Sequence, residues 1–331
     1  GFELPHIHVG RIRIEERLEA SVADMATIRR LYSDAVSTAD RIWESARANG
    51  LTSAEEVRQV VQSLAQAVSQ NRTALLSLTA LRNYDNYTFT HMVNVSILAM
   101  AQARGLGIEG PALREMGMAG LMHDIGKVRT PHHILNKPDR LTDEELVIMR
   151  RHVLDGAELL RRIPDMPPIV PVAAFEHHLR ADGSGYPEGV ERESLNLATQ
   201  IVAIADVYDA MRSQRAYQQA HPTDRILAVL RDQNAHHFDQ HLVRRFVQLL
   251  GIYPPGNLVK LNTGVYAVVI RANPGDPYRP KVRVVLDKAA RPVQTPFDIN
   301  LWEVPPSPDR ASTVVAPADG AELGIDPLTY M

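Results

Sequence analysis

The chain has 331 residues, 45% of them hydrophobic, a formal net charge of −3 and no cysteine. That length accommodates one large domain with smaller appendages, the near-neutral balance argues against a nucleic-acid polymer as ligand, and the missing thiols exclude disulfides and thiolate metal sites. No apolar run reaches the length of a membrane span and the opening GFELPHIHVG does not read as a signal peptide, so a cytoplasmic location is expected.

From about Arg11 to Asn49 apolar residues recur at helical spacing, ending at Asn49-Gly50. Ile14, Leu18, Ser21, Met25, Ile28, Tyr32, Ala35, Ala39 and Ile42 alternate by four and three. Such a heptad seam fits either a coiled coil with a second copy or one amphipathic helix packed on its own domain. Thr52 with Glu55, or Ser53 with Glu56, offers a capping box for a helix through about Gln70. Residues 1–71 thus read as an N-terminal helical module, with 11–49 as its dimerisation helix if the seam pairs copies. Helical patterns follow near 72–82, 87–105, 111–125, 142–162, 166–178, 198–213, 222–232 and 239–250, the fourth opened by Thr142 and Glu145. Beyond Tyr253-Pro254-Pro255-Gly256 the period changes. LVKLNTGVYAVVI and KVRVVL alternate like strands, so 254–304 reads as a small β extension. The Pro-, Ala- and Asp-rich stretch 305–331 reads as a poorly ordered tail. The fold class expected is mainly α, an all-helical catalytic domain over 72–253 with a C-terminal β appendage.

Chemistry concentrates where polar ligand types interrupt apolar helices. LMHDIGKV places His123 beside Asp124 inside an apolar run, and an isolated buried carboxylate is costly unless paired, hydrogen-bonded or metal-bound. His91, His152, the pair His177-His178, and Asp206 lie in similar settings on other helices. Each alone is more often an ordinary core or surface residue; together, five imidazoles and two carboxylates suit iron, manganese or zinc. One carboxylate can bridge two ions. The partition expected gives His91, His123, Asp124 and Asp206 to the first, and Asp124, His152, His177 and His178 to the second. Two ions about 4 Å apart can hold a hydroxide nucleophile, and Lys127, one turn after His123, could neutralise a phosphoryl oxygen. His132 and His133 in a polar loop, and His236 and His237 near a helix start, read as ordinary residues.

H-D-I-G-K, ILNKPDRLTDEE, a lone histidine, HH, DGSGYP and ADVYDA…RAY, in this order, resemble the HD-GYP family over roughly residues 75–253. This is the phosphodiesterase branch of the HD metal-dependent phosphohydrolases. The resemblance implies an all-helical domain with a two- or three-metal centre that hydrolyses the bacterial second messenger cyclic di-GMP to linear pGpG or GMP by a metal-activated hydroxide. Its ligand positions fall on His91, His123, Asp124, His152, His177, His178 and Asp206. The implied cofactors are two divalent ions, iron or manganese ahead of zinc, nickel or magnesium, because Tyr87 stands where some members carry a glutamate for a third. Tyr186 in the glycine-bearing loop, Arg215 and Lys137 are the implied substrate contacts. Leu179 in place of a glutamate, MRS at Met211–Ser213 and Gln218 in place of a basic residue depart from the pattern and bear on substrate affinity. The alternatives are a hydrolase of another nucleotide or cyclic dinucleotide, and a sensor that binds cyclic di-GMP without useful turnover.

Overall fold

The computed structural model describes residues 25–48, 53–79, 87–180, 182–190, 194–212, 223–231 and 237–331. Helix α1 (Met25–Ala48) places Ile28, Tyr32, Ala35, Ala39 and Ile42 on one face, and all five are buried against this same chain. The described part of the heptad seam is therefore occupied by its own domain, packing on α2 (Glu55–Gln70), α3 (Arg72–Leu78) and α4 (Tyr87–Gly105). A coiled-coil pairing through these positions is corrected accordingly, since a face already removed from water gains nothing further from a second copy. Ile14, Leu18 and Ser21 lie outside the described residues.

Helix α4 runs through the interior, with apolar Met92, Val93, Val95, Ile97 and Leu98 and polar His91, Asn94 and Ser96 all buried. It lies against α5 (Gly110–Met122), where a Cβ on Gly120 would come within 3.0 Å of the Ser96 backbone, so the two helices approach closely. After α5 the chain tightens into a 3-10 turn (Ile125–Arg129), then forms the short α6 (His132–Leu135) in the stretch expected to be loop. The helix expected over 142–162 is broken at Arg151 into α7 (Asp143–Arg150) and α8 (His152–Arg161), although Thr142 and Glu145 do form the capping box. α9 (Ile169–Glu176), α10 (Leu197–Arg212), α11 (Thr223–Leu230) and α12 (Gln240–Leu250) complete the helical body. One continuous hydrophobic core takes in α1, α2 and the later helices. The expected boundary at residue 71 is therefore no break in packing.

The C-terminal region is an antiparallel sheet of order β4-β3-β2-β1-β5, with β1 (Leu258–Leu261), β2 (Tyr266–Arg271), β3 (Lys281–Leu286), β4 (Pro292–Asn300) and β5 (Val314–Ala318). Strand β5 overturns the expectation of a poorly ordered tail. Val314 to Ala318 pair with β1, and Pro317 is tolerated because β5 is an edge strand. Beyond it Leu328 is buried in the helical core and Asp326 accepts from Arg29 of α1 at 2.9 Å. Residues 305–331 are thus packed onto both parts of the protein. No described helix is long and apolar enough to cross a membrane.

Candidate metal centre

The seven expected ligands come together where the ends of α5, α8 and α9 meet α4 and α10. α5 closes at His123, and Asp124 has left the helical conformation (φ −99°, ψ 5°). On a continuous helix neighbouring side chains point about 100° apart; at this helix end His123 Nε2 and Asp124 Oδ2 lie 3.3 Å apart. Gly126 makes the approach to α8 possible, since a Cβ there would sit 1.9 Å from the carbonyl oxygen of His152. α8 begins with His152, α9 ends into His177 and His178, α4 supplies His91 and α10 supplies Asp206.

Four of the imidazoles are held by Nδ1. His123 Nδ1 lies 2.8 Å from the Gly120 carbonyl, His152 Nδ1 2.8 Å from that of Met149, and His177 Nδ1 3.0 Å from that of Ala174. His91 Nδ1 is 2.8 Å from the Asp209 carboxylate. A carbonyl or carboxylate can only accept, so Nδ1 carries the proton; His123, His152 and His177 then turn an Nε2 lone pair inward, whereas His91 Nε2 meets the Asp206 carboxylate. These Nε2 atoms converge on Asp124. Its Oδ1 faces His152 Nε2 at 3.3 Å and His177 Nε2 at 3.6 Å. Its Oδ2 faces His123 Nε2 at 3.3 Å and His91 Nε2 at 3.8 Å. Asp206 Oδ1 lies 3.2 Å from His91 Nε2. Ligand-distance groups form from Asp124, His152, His177 and His178, from His91, His123 and Asp124, and from His123, His177 and Asp206. The last group overlaps the two expected sets, so the seven residues make one continuous cluster.

This is an excess of acceptors in a buried place. His152 Nε2 and His177 Nε2 stand 3.4 Å apart, and His123 Nε2 and Asp124 Oδ1 make no hydrogen bond. Buried acceptors without donors cost free energy that a cation would recover, and nitrogen and carboxylate donors are what a divalent transition metal takes. The residues therefore fit such ions. Electrostatics divides the cluster. Burial opposes charge on His91, but the hydrogen bonds and charges of Asp206 and Asp209 outweigh it and raise its pKa to about 9. Burial wins at His152, pushing it down to about 3, and together with His177 holds His178 well below its ordinary value. Burial also works against the Asp124 carboxylate, yet Lys127 and His123 keep it ionised well below the usual range.

At the rim, Lys127 Nζ lies 2.5 Å from Asp124 Oδ2 and pairs with the central carboxylate. Tyr186 lies over His178, ring centroids 4.4 Å apart, with the Arg150 guanidinium 5.3 Å from its ring centroid. Gly185 (φ +95°) allows this loop to fold back, since a Cβ there would meet the His178 carbonyl at 2.1 Å. Leu179 is buried and bridges to Gly185, anchoring the loop by its backbone. Lys137 is engaged instead by Glu145 of the capping box, at 2.6 Å. Arg215, Gln218, Ser213 and the side chain of Tyr87 lie outside the described residues. Sequence reasoning missed Arg150, Asn94 and Asp209. The signal for Asp209 was its position three residues after Asp206, on the same helical face.

The profile of the HD domain matches residues 57–242, and that of a KOW domain associated with HD domains matches 258–305. The chain belongs to the HD-domain family. It is 35% identical over 274 residues to a cyclic di-GMP phosphodiesterase of Pseudomonas aeruginosa, covering 83% of this chain and 64% of that protein. It is 35% identical to the cyclic di-GMP phosphodiesterase response regulator RpfG of Xanthomonas campestris pv. campestris, over 56% of this chain and 50% of that one. A 3′3′-cGAMP-specific phosphodiesterase of Vibrio cholerae is 33% identical over 48% and 36% of the two chains. This HD-domain chain thus spans less than two thirds of the length of these relatives. An HD-GYP-type protein of Bdellovibrio bacteriovorus shares its fold, with a TM-score of 0.56 at 18% identity over 70% of this chain and 74% of that one.

Proposed function

We propose that this HD-domain protein is a cytoplasmic, metal-dependent phosphodiesterase that hydrolyses cyclic di-GMP to linear pGpG, GMP or both. The observation that carries the reading is the placement of Asp124, whose two carboxylate oxygens face two different sets of imidazole nitrogens. His91, His123 and Asp206 would hold one ion, His152, His177 and His178 the other, with Asp124 shared; the mixed imidazole and carboxylate donors suit a divalent first-row transition metal, iron or manganese in this proposal. Two such ions supply, when bound, a nucleophile at neutral pH and a clamp on the reacting oxygens. Hydrolysis joins water oxygen to phosphorus, breaks the P–O3′ bond and leaves a proton on the 3′ oxygen. The Nδ1 hydrogen bonds keep the imidazoles oriented throughout, so little reorganisation is needed as charge develops. Lys127, beside Asp124 at the rim, offers a positive charge to a phosphoryl oxygen. Tyr186, seated on His178 and flanked by Arg150, offers a flat face for a guanine. Lys137 and Arg215 are weaker candidates for phosphate or base contacts.

The test is chromatography of products after anaerobic incubation of cyclic di-GMP with iron- or manganese-loaded protein. Linear dinucleotide or GMP, absent with Asp124→Ala, is the expected result. Intact cyclic di-GMP with two ions bound would overturn it in favour of a sensor. The similarity to a 3′3′-cGAMP-specific relative supports a second reading, hydrolysis of a mixed cyclic dinucleotide, which the same assay with 3′3′-cGAMP decides.

A further inference from the structure

One imidazole of the centre is supported differently from the rest. His123, His152 and His177 lean on carbonyls of their own helical turns, whereas His91 leans on a carboxylate from another helix. Asp206 and Asp209 are separated by three residues on α10 and so share a face. They take the two nitrogens of the same ring, Asp206 Oδ1 at Nε2 (3.2 Å) and Asp209 Oδ2 at Nδ1 (2.8 Å).

Asp209 is fully buried and is itself held from behind. Asn94 Nδ2 donates to its Oδ1 at 2.9 Å, and Arg212 donates to the same oxygen at 3.1 Å while also reaching the Thr79 carbonyl. Asn94 Oδ1 in turn accepts from the Tyr32 hydroxyl of α1 at 2.7 Å. The directions are forced. Asp209 can only accept, so the Asn94 amide must turn its NH2 toward it and its oxygen toward Tyr32, which then has to donate. All members but Arg212 are buried, and burial raises the Tyr32 pKa, keeping the hydroxyl protonated as the string requires. The Tyr32 and Asn94 donors point inward from α1, the His91 Nδ1–H points back, and both lines end on the Asp209 carboxylate.

We propose that Asp209 is a positioning residue for His91, and that Tyr32 extends its support through Asn94, so that the N-terminal helix helps to hold one half of the metal centre. This rests on the metal-centre reading above. It makes α1 part of the site's scaffold, and any rearrangement of α1 that withdraws Tyr32 is transmitted to a single ligand. Among the described residues, the three ligands on the Oδ1 side of Asp124 have no such line.

Metal-stripped full-length protein titrated with cobalt(II), followed by visible absorption and equilibrium dialysis, separates the alternatives. The unaltered chain should take up two ions. Asp209→Asn should weaken one of them by about ten- to a hundredfold and leave the other unchanged. Tyr32→Phe should weaken the same ion by about two- to tenfold, with the metal-free melt of each variant checking that the fold persists. If Asp209→Asn does not fold, Tyr32→Phe decides on the same readout. Two ions bound as tightly in the variants as in the parent, or both weakened equally, would overturn the proposal while leaving the centre intact. A parent protein that takes up no cobalt would overturn both readings together.

Discussion

The two sides of Asp124 are built from the same residue type and behave as opposites. On the Oδ2 side His91 is pressed between two carboxylates and its pKa rises to about 9. On the Oδ1 side His152, packed against other imidazoles, falls to about 3, with burial the main cause. The lesson is that ligand type does not set ligand electrostatics; the groups behind the ligand do. The Oδ2 side should prefer a harder, more positive ion and the Oδ1 side a softer one.

Breaking the shared element should have the largest effect. Asp124→Ala is expected to remove both ions and cut cyclic di-GMP turnover by at least about a thousandfold, read by metal analysis and product chromatography. Next, His91→Ala and His152→Ala should each lose one ion, a different one in each case, and a titration in which both variants lose the same ion would erase the distinction between the sides. Metal loading should then stabilise the fold. With free ion at about a hundred times its dissociation constant, the gain is about 2.7 kcal/mol per site, visible as a higher melting temperature that chelation reverses.

The pH dependence of the metal-free protein sharpens the contrast. His91 has a folded pKa above its ordinary value of about 6.5, so its contribution is full below that value and is lost as pH rises toward about 9. His152 has a folded pKa below the ordinary value, so the unfolded chain binds the extra proton and stability falls as pH drops from about 6.5 toward about 3. Metal-free protein should therefore be most stable near pH 6.5, each shifted histidine contributing up to about 1.4 kcal/mol per pH unit to its limb. Denaturant melts should lose the alkaline limb in His91→Ala and only part of the acid limb in His152→Ala, the remainder belonging to His178. The smallest effect expected is at the rim, where Tyr186→Leu should raise KM by about fivefold to a hundredfold through a lost stacking face, with kcat less affected.

The sequence alone determined the chemistry and the class. His and Asp residues set into apolar helical stretches stand out because burial without a partner is costly, and their order carries the family resemblance. The capping box of α7 and the β extension were legible for the same local reasons, a side chain three residues from its partner and a period of two. What failed depended on contacts distant in the chain. The heptad seam of α1 looks the same whether its face meets a second copy or its own core. Pro317 disguised an edge strand whose partner lies more than fifty residues earlier. By contrast, Lys127, expected at a phosphoryl oxygen, and Lys137, expected at the substrate, sit on carboxylates only three and eight residues away in the chain. Asp209 was unremarked in YDAM because a helical aspartate is ordinary until the fold brings His91, Asn94 and Arg212 around it. Local spacing names the ligands; only packing decides what stands behind each of them, because hydrogen bonds and charge reach a few ångströms through space and take no account of distance along the chain.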